Sequence, residues 1–502
     1  MPSGTVPLVT GATFALLAAA LLLAPAARGQ TLQEAMATSY SSNPNLQSAR
    51  AQLRVVDENV PQALAGWRPT VSIAGSAGTV FNANSRTRTT INNEQVGLYS
   101  EPNRDPFSLQ GTISQPLYRG GRTTSQTRRA ENQVLAQRAR VIAIEQQVLG
   151  DTITSYVNVI RFQEEVRLNV NNVQVLIRQL EATNERFRVG EITRTDVAQA
   201  ESRLAGARAT LADSEGQLQS ARAIFVRVVG IVPARLTAPQ PLTSAARSAT
   251  EAATAASNNN PQVLSALFDE AAARDFVDVQ AAALLPQASL NATTFRNDNT
   301  NAPGSRSTGN QVTASITVPL YQGGAEYSSV RAARQDAVRA RSVVDEQRRA
   351  AVQSANSAWA TLASTRAAVE ATRAQIRAQE IALDGVQREA IVGSRTTLDV
   401  LNADQELLNA RVSLVRALTS VVNASHALAA SVGRLTAYDL ALPVEMYDMT
   451  AYYNAVRNRW AGFYAPPDQI AQARAEAAAN PVRGLPPRTA TPVATPRNGT
   501  TP

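Results

Sequence analysis

The chain switches between two hydrophobic periods, and it does so twice. From 107 to 117, Phe107, Leu109, Gly111, Ile113 and Leu117 share one face, while Ser108, Gln110, Thr112 and Ser114 share the other. Between 311 and 320, Val312, Ala314, Ile316, Val318 and Leu320 oppose Gln311, Thr313, Ser315 and Thr317. Side chains of a strand alternate between its faces, so period two predicts strands over 107–117 and 311–320. Looser alternation over 70–81 and 287–295 predicts a partner strand ahead of each. Strands of about ten residues suit a tilted membrane wall. The intervening stretches 82–106 and 296–311 are rich in Asn, Thr, Arg and Gly and predict loops.

After each strand pair the period lengthens. From Gly121 to Phe187 there is no proline, and after Gly121 itself Gly150 is the only glycine. A seam of Val148, Thr152, Ser155, Val159, Phe162, Val166, Asn169, Val173, Leu176, Leu180 and Thr183 steps by four and three. That spacing predicts one long helix packed along a single stripe. The same seam returns 203 residues later, from Ala351 to Val386. Beyond each long helix, Val197, Leu204, Leu211, Leu218 and Phe225, then Val400, Leu407, Leu414, Val421 and Leu428, recur every seven residues. Small companions such as Ala200, Ala207, Ala403 and Ala410 give a large/small coiled-coil seam. The return helix is about half as long as the helix it faces. An opening helix over 32–63 has the missing length, and stacking the two end to end makes one composite helix.

The duplication is explicit. Pro116-Leu117-Tyr118-Arg119-Gly120-Gly121 returns as Pro319-Leu320-Tyr321-Gln322-Gly323-Gly324, Val189-Gly190 as Val392-Gly393, and Asp196-Val197 as Asp399-Val400. All are offset by 203 (319−116, 392−189, 399−196). Asn43-Pro44 returns as Asn260-Pro261 at 217 (261−44), so the first strand pair encloses the longer connection. Such repeats must be recognised before a fold is assigned. They divide the chain into repeat 1 (30–259, tip 188–197) and repeat 2 (260–435, tip 391–400). An aromatic segment (436–464) and a Pro/Ala/Arg/Thr-rich tail (465–502), expected to be disordered, follow. Pro69, Pro116, Pro286 and Pro319 mark the strand–helix junctions, because proline interrupts a ladder.

Composition removes several chemistries. The 502 residues include no cysteine and one histidine, His426, so disulfides, thiol catalysis and Cys/His metal clusters are excluded. All 48 basic residues are arginine and the net charge is +8. The arginines alternate with Asp, Glu and Gln along the helices, which reads as a solvated face rather than a nucleic-acid surface. The apolar run 14–23 is too short to span a membrane and precedes Ala27-Arg28-Gly29, so residues 1–29 are expected to be a secretory signal peptide.

Four strands per chain cannot remain an open sheet in lipid, where edge groups find no water. They must close with strands of other copies. The reading is therefore a mainly α chain with a β-barrel part. A long coiled-coil helical barrel would hang from four membrane strands per chain. A periplasmic coiled-coil scaffold or adaptor without a pore is the alternative. The tips carry a further signal. Gly190 and Gly393 suit a left-handed helix end, and Thr193 or Thr195, with Thr396 or Thr397, suit an N-cap. Asp196 and Asp399 suit the positive first turn that follows.

The tip sequences Val189-Gly190-Glu191-Ile192-Thr193-Arg194-Thr195-Asp196-Val197 and Val392-Gly393-Ser394-Arg395-Thr396-Thr397-Leu398-Asp399-Val400-Leu401, in phase with the strand pairs, resemble the TolC family of outer-membrane efflux and secretion channels. The resemblance covers 31–435. It implies a homotrimer whose strands close one barrel and whose tips meet on the axis. Arg395 would pair with Thr195 and Asp196 of a neighbouring tip, and Asp399 would face the pore. Asn402 stands where a second ring aspartate is expected, and Ala390 where a gating tyrosine is. The implied partners are outer-membrane lipid, a periplasmic adaptor and an inner-membrane ABC or RND transporter. No cofactor, nucleic acid or catalysis is implied.

Overall fold

The structure, a computed structural model, describes residues 30–81, 85–91, 94–100, 103–301 and 303–463. The expected signal peptide (1–29) and tail (465–502) lie outside the described residues. In repeat 1, three short helices, α1 (Leu32–Ser42), α2 (Pro44–Asp57) and α3 (Asn59–Leu64), lead to β1 (Thr70–Ala77). Two further strands, β2 (Ser85–Ile91) and β3 (Glu94–Ser100), precede β4 (Phe107–Arg119). The long helix α4 (Arg122–Arg188) and return helix α5 (Arg194–Val229) follow. Repeat 2 has α6 (Ala249–Asn259), α7 (Pro261–Ala281), β5 (Gln287–Asp298), β6 (Arg306–Thr317), α8 (Ala325–Ile391) and α9 (Thr397–Ser431). A short α10 (Ala451–Val456) lies in the C-terminal segment.

The main sheet is fully antiparallel with order β1-β4-β5-β6. Its register sorts the side chains. Val71 faces Ile113, Ile73 faces Gly111, and Ala292 lies between Ile113 and Val312. On the opposite face Ser72, Thr112, Thr293 and Gln311 form one row across all four strands. Hydroxyl pairs Ser76–Ser108 (2.8 Å) and Ser289–Ser315 (2.9 Å) tie the polar face. The apolar face has no cover: Val71, Ile73, Val312 and Ile316 are each at least 70% exposed. Water would penalise that face, so it belongs against lipid.

Four sequence expectations change here. The loop expected over 296–311 shortens to 299–305, because β5 runs on to Asp298 and β6 spans Arg306–Thr317 instead of 311–320. The stretch 82–106 contains the β2–β3 hairpin, paired from Ser85↔Ser100 to Ile91↔Glu94, rather than only a loop. Pro116 lies inside β4 rather than at its end. It sits at a bulge between Pro116 and Tyr118, past Ser114, where pairing with β1 has ended. The opening helix is broken twice. Asn43 takes an extended conformation ahead of Pro44, and Glu58 interrupts the helix ahead of Pro61, which has no N–H to offer.

Each long helix has 67 residues, about 100 Å at 1.5 Å per residue. The 203-residue offset recurs at their starts (325−122) and ends (391−188). In α4 the seam residues Val148, Thr152, Ser155 and Val159 are at most 3% exposed. The copy in α8 is barer: Ala351, Ala355, Leu362 and Val369 are buried, but Ile381 on the same helix is 76% exposed. Helix α4 packs against α5, α7 and α9, whereas α8 packs against α6, α7 and α9.

The composite helices form head to tail. Asn43 accepts from the Asn45 N–H (2.9 Å) to cap α2, and its Nδ2 donates to the Val228 carbonyl at the end of α5 (3.0 Å). Asn260 does the same in repeat 2: its Oδ1 accepts from Gln262 N–H (2.9 Å) and its Nδ2 donates to Ser431 O (3.1 Å). One side chain thus satisfies an orphan donor of one helix and an orphan acceptor of another. The main core lies at this level. Buried Tyr156 packs near Phe225 and places its hydroxyl 2.7 Å from the carbonyls of Gln30 and Thr237.

The aromatic C-terminal segment packs along the opening helices. Ala437 N–H donates to Glu145 (2.7 Å), Tyr447 N–H to the Tyr40 hydroxyl (3.1 Å), and the Tyr452 hydroxyl to Glu58 (2.7 Å). His426 is 3% exposed. Its Nδ1–H donates to Val422 O (2.8 Å), and burial lowers its pKa, so it is a neutral packed side chain.

Candidate functional site

Both tips are built by the same local rules. In the first, Val189 ends α4 and Gly190 follows at φ 78°, a left-handed conformation that glycine adopts without a Cβ clash. Gly190 N–H then reaches Phe187 O (2.9 Å) and Glu191 N–H reaches Arg186 O (2.9 Å). Arg186 closes the turn on Glu191 at 2.6 Å. In the second tip Gly393 has φ 80°, and Ser394 N–H donates to Glu389 O (3.0 Å). The bends are therefore written into the two glycines.

The caps are Thr193 and Thr396, not Thr195 or Thr397. The Thr193 hydroxyl accepts from Asp196 N–H, while Asp196 Oδ2 accepts from Thr193 N–H (3.0 Å) and from the Thr193 hydroxyl (2.7 Å). Asp399 makes the same reciprocal box with Thr396, at 3.0 and 2.8 Å. These bonds lower both carboxyl pKa values, the Thr193 hydroxyl bond leading for Asp196 and the Thr396 backbone bond for Asp399. Both tips therefore hold an ionised carboxylate at neutral pH. The box engages only Oδ2, which leaves Oδ1 for another partner.

The structure places the remaining expected residues as follows. Thr195 is exposed in the first turn of α5. Arg395 does not reach Asp196 of its own chain; its Nε donates to Glu389 (2.8 Å), and both side chains are half exposed. Asn402 is exposed, and its Oδ1 accepts from Arg203 on the first return helix (2.8 Å). Leu176, Leu204, Ala207 and Leu401 form the small apolar cluster beside that bond. Glu389 and Arg203 carried no sequence signal, since each acquires its role by facing a residue on another turn or helix. Higher up, buried Glu165 of α4 accepts from Arg416 of α9 (2.9 Å) and ties the two repeats together.

Among the described residues no group of His, Cys, Asp or Glu could hold a metal ion, and no helix is long and apolar enough to cross a membrane. What remains is a sheet with one bare apolar face, continuous with rods of helix that end in charged hairpins. Such an arrangement defines a membrane-wall protein with a long helical extension.

Comparisons with known proteins identify the family. The family described as "Outer membrane efflux protein" matches residues 36–230 and 252–434. The chain belongs to that family. It is 35% identical over 457 residues to the outer membrane efflux protein BepC of Brucella suis, covering 90% of this chain and 96% of that one. It is 25% identical over 435 residues to the outer membrane protein TolC of Vibrio cholerae, covering 83% and 94%. A solved structure of CusC, described with transmembrane channel formation, superposes with a TM-score of 0.69 at 15% identity, over 80% of this chain and 91% of that one. The protein is an outer-membrane efflux channel.

Proposed function

We propose that three copies close one barrel and one helical tunnel, forming the outer-membrane duct of a tripartite export system. The observation that carries the reading is the sheet. Its apolar face is bare, its polar face is continuous, and β1 and β6 are free edges within the chain. Closing β6 of one copy on β1 of the next satisfies both edges and turns the polar rows toward an aqueous lumen. Three four-stranded sheets give twelve strands, an even number as in bacterial barrels. The sparsely covered flank of α8 supplies a surface for the neighbouring copy.

The tips are the gate in this reading. Asp399 presents Oδ1 to the axis, and three such carboxylates favour cations. Arg395 exchanges its own Glu389 for Thr195 and Asp196 of the neighbouring tip when the mouth is closed. Exposed ion pairs are weak because water screens them, so a ring of them holds the mouth closed only loosely. A docked periplasmic adaptor and its ABC or RND transporter can supply the free energy that opens it. Asn402, bonded to Arg203, adds no second ring of negative charge. Cargo would leave through the lumen without chemical change.

The test is conductance of the purified protein in a planar bilayer, with Asp399→Asn and Arg395→Ala beside the wild type. Asparagine keeps an oxygen for the cap and removes only the charge. Cation preference should fall in Asp399→Asn, and open probability should rise in Arg395→Ala. A wild type that forms no conducting pore overturns the duct. An unchanged ion preference in Asp399→Asn removes that residue from the lumen.

A further inference from the structure

At the foot of the sheet the chain collects aromatic and basic side chains that conduction does not use. The C-terminal segment climbs the opening helices in order. Tyr447 meets Tyr40, Tyr452 meets Glu58, and the Arg68 guanidinium lies 5.1 Å from the Trp460 ring centroid. Arg68 also donates through Nη1 to the Arg459 carbonyl (2.5 Å). The segment therefore ends two residues from Thr70, where β1 begins. There it leaves Trp460 70% exposed and Phe463 fully exposed, beside Trp67 at 40%. Arg119, the last residue of β4, reaches the same corner: a Cβ on Gly66 would stand 3.1 Å from its Nη1.

Charge and position both select the occupant. Among the described residues no carboxylate pairs with Arg68 or Arg119, although Arg457, three residues before Trp460, pairs with Glu131 at 2.8 Å. Val71, on the bare apolar face, is three residues from Arg68, about 10 Å along a strand. That is the depth at which apolar chains give way to headgroups. Tryptophan favours this boundary because its ring is apolar and its N–H is not. Guanidinium binds phosphate oxygens in paired hydrogen bonds.

We propose that Trp460 and Phe463, with Arg68 and Arg119, form an anchor for the inner leaflet of the outer membrane. The rings enter the leaflet and the guanidiniums hold phospholipid phosphates. The C-terminal segment is then a second membrane contact, independent of the strands. This rests on the sheet being a membrane wall, so the experiment reads the two separately.

The full-length protein carries three tryptophans, Trp67, Trp359 and Trp460. Trp67→Phe with Trp359→Phe leaves Trp460 as the sole reporter. Ile73→Trp in a background lacking all three reports on the wall. Each protein is reconstituted in vesicles of phosphatidylglycerol or phosphatidylcholine brominated near the headgroup. Trp460 should be quenched by the brominated lipid and shielded from aqueous iodide. An arginine near an anionic surface is worth about fivefold in lipid partition, so the two together should favour phosphatidylglycerol by up to about 25-fold. Arg68→Gln combined with Arg119→Gln should abolish the preference. Quenching at Ile73→Trp with iodide access and no lipid quenching at Trp460 overturns the anchor and leaves the wall standing. No lipid quenching at either site overturns both. Trp460 shielded from lipid and iodide alike means that another copy of the chain covers it, which also overturns the anchor. Lipid quenching without preference for phosphatidylglycerol overturns the role of the arginines.

Discussion

Asp57 is the side chain whose replacement most sharply tests the energetics of this fold. It ends α2 beneath the C-terminal segment and is 1% exposed. Neither carboxylate oxygen has a hydrogen-bond partner among the described residues. Burial raises its pKa from 3.8 to about 7; Arg138 opposes the rise and Glu58 adds to it. The folded state therefore holds this proton more tightly than the unfolded chain does. Asp57 costs nothing below pH 4, costs progressively more as pH rises toward 7, and costs its full amount above that. At 1.36 kcal/mol per pKa unit, the cost is about 4 kcal/mol at pH 8 and about 2 kcal/mol at pH 5.5. Asp57→Asn keeps the shape and removes the charge. Its amide carries a burial cost of its own, but that cost does not change with pH. The stability of Asp57→Asn relative to wild type should thus improve by about 2 kcal/mol between pH 5.5 and pH 8. Urea unfolding of the detergent-solubilised protein at the two pH values measures this. Parallel pH profiles for the two proteins would falsify the assignment of an uncompensated charge at this site.

Other outcomes follow from the caps, the joints and the hub. Asn43→Ala and Asn260→Ala should each lower unfolding stability by about 0.5–2 kcal/mol, because each removes an N-cap; a loss below 0.3 kcal/mol at both would show that the joints are idle. Tyr156→Phe should cost about 1–3 kcal/mol by leaving the Thr237 carbonyl without its donor, while the Thr237 N–H keeps the Gln30 carbonyl, read by the same assay. Gly393→Ala should strain the second tip by about 1–2 kcal/mol through its left-handed backbone and raise the spontaneous opening rate in bilayer recordings, whereas Gly385→Ala, in open space inside α8, should not.

The long helices and the four-stranded sheet were legible because their periods are long and repeated. A seam of eleven positions has few readings besides a packed helix. The β2–β3 hairpin was not legible. Its first strand has a single apolar residue, Ile91, and the alternation in its second strand stops at Val96 and Leu98, too short to stand out among polar neighbours; backbone pairing orders it. The break at Glu58 was hidden because 32–63 keeps an amphipathic stripe across Pro61. At the tips, the glycine bends and the carboxylates of the first turn were readable, since both are local rules. Arg203 with Asn402, 199 residues apart, and Arg395 with Glu389 depend on which turns face one another. Nothing in the sequence sets Asp57 apart from the other polar helix residues. Its burial comes from a segment almost four hundred residues later in the chain.

The head-to-tail joints at Asn43 and Asn260 carry a mechanical consequence. Two rods clamped side by side bend easily only if one of them can change length. In each repeat the rod that begins at a membrane strand, α4 or α8, is unbroken, and its neighbour is spliced halfway by one asparagine side chain. A sideways load at the hairpin end opens or closes the splice by a fraction of an ångström instead of stretching a helix. Flexure is thereby concentrated at mid-height, and the half above the splice stays straight. The strands in the membrane are insulated from whatever pulls on the tips.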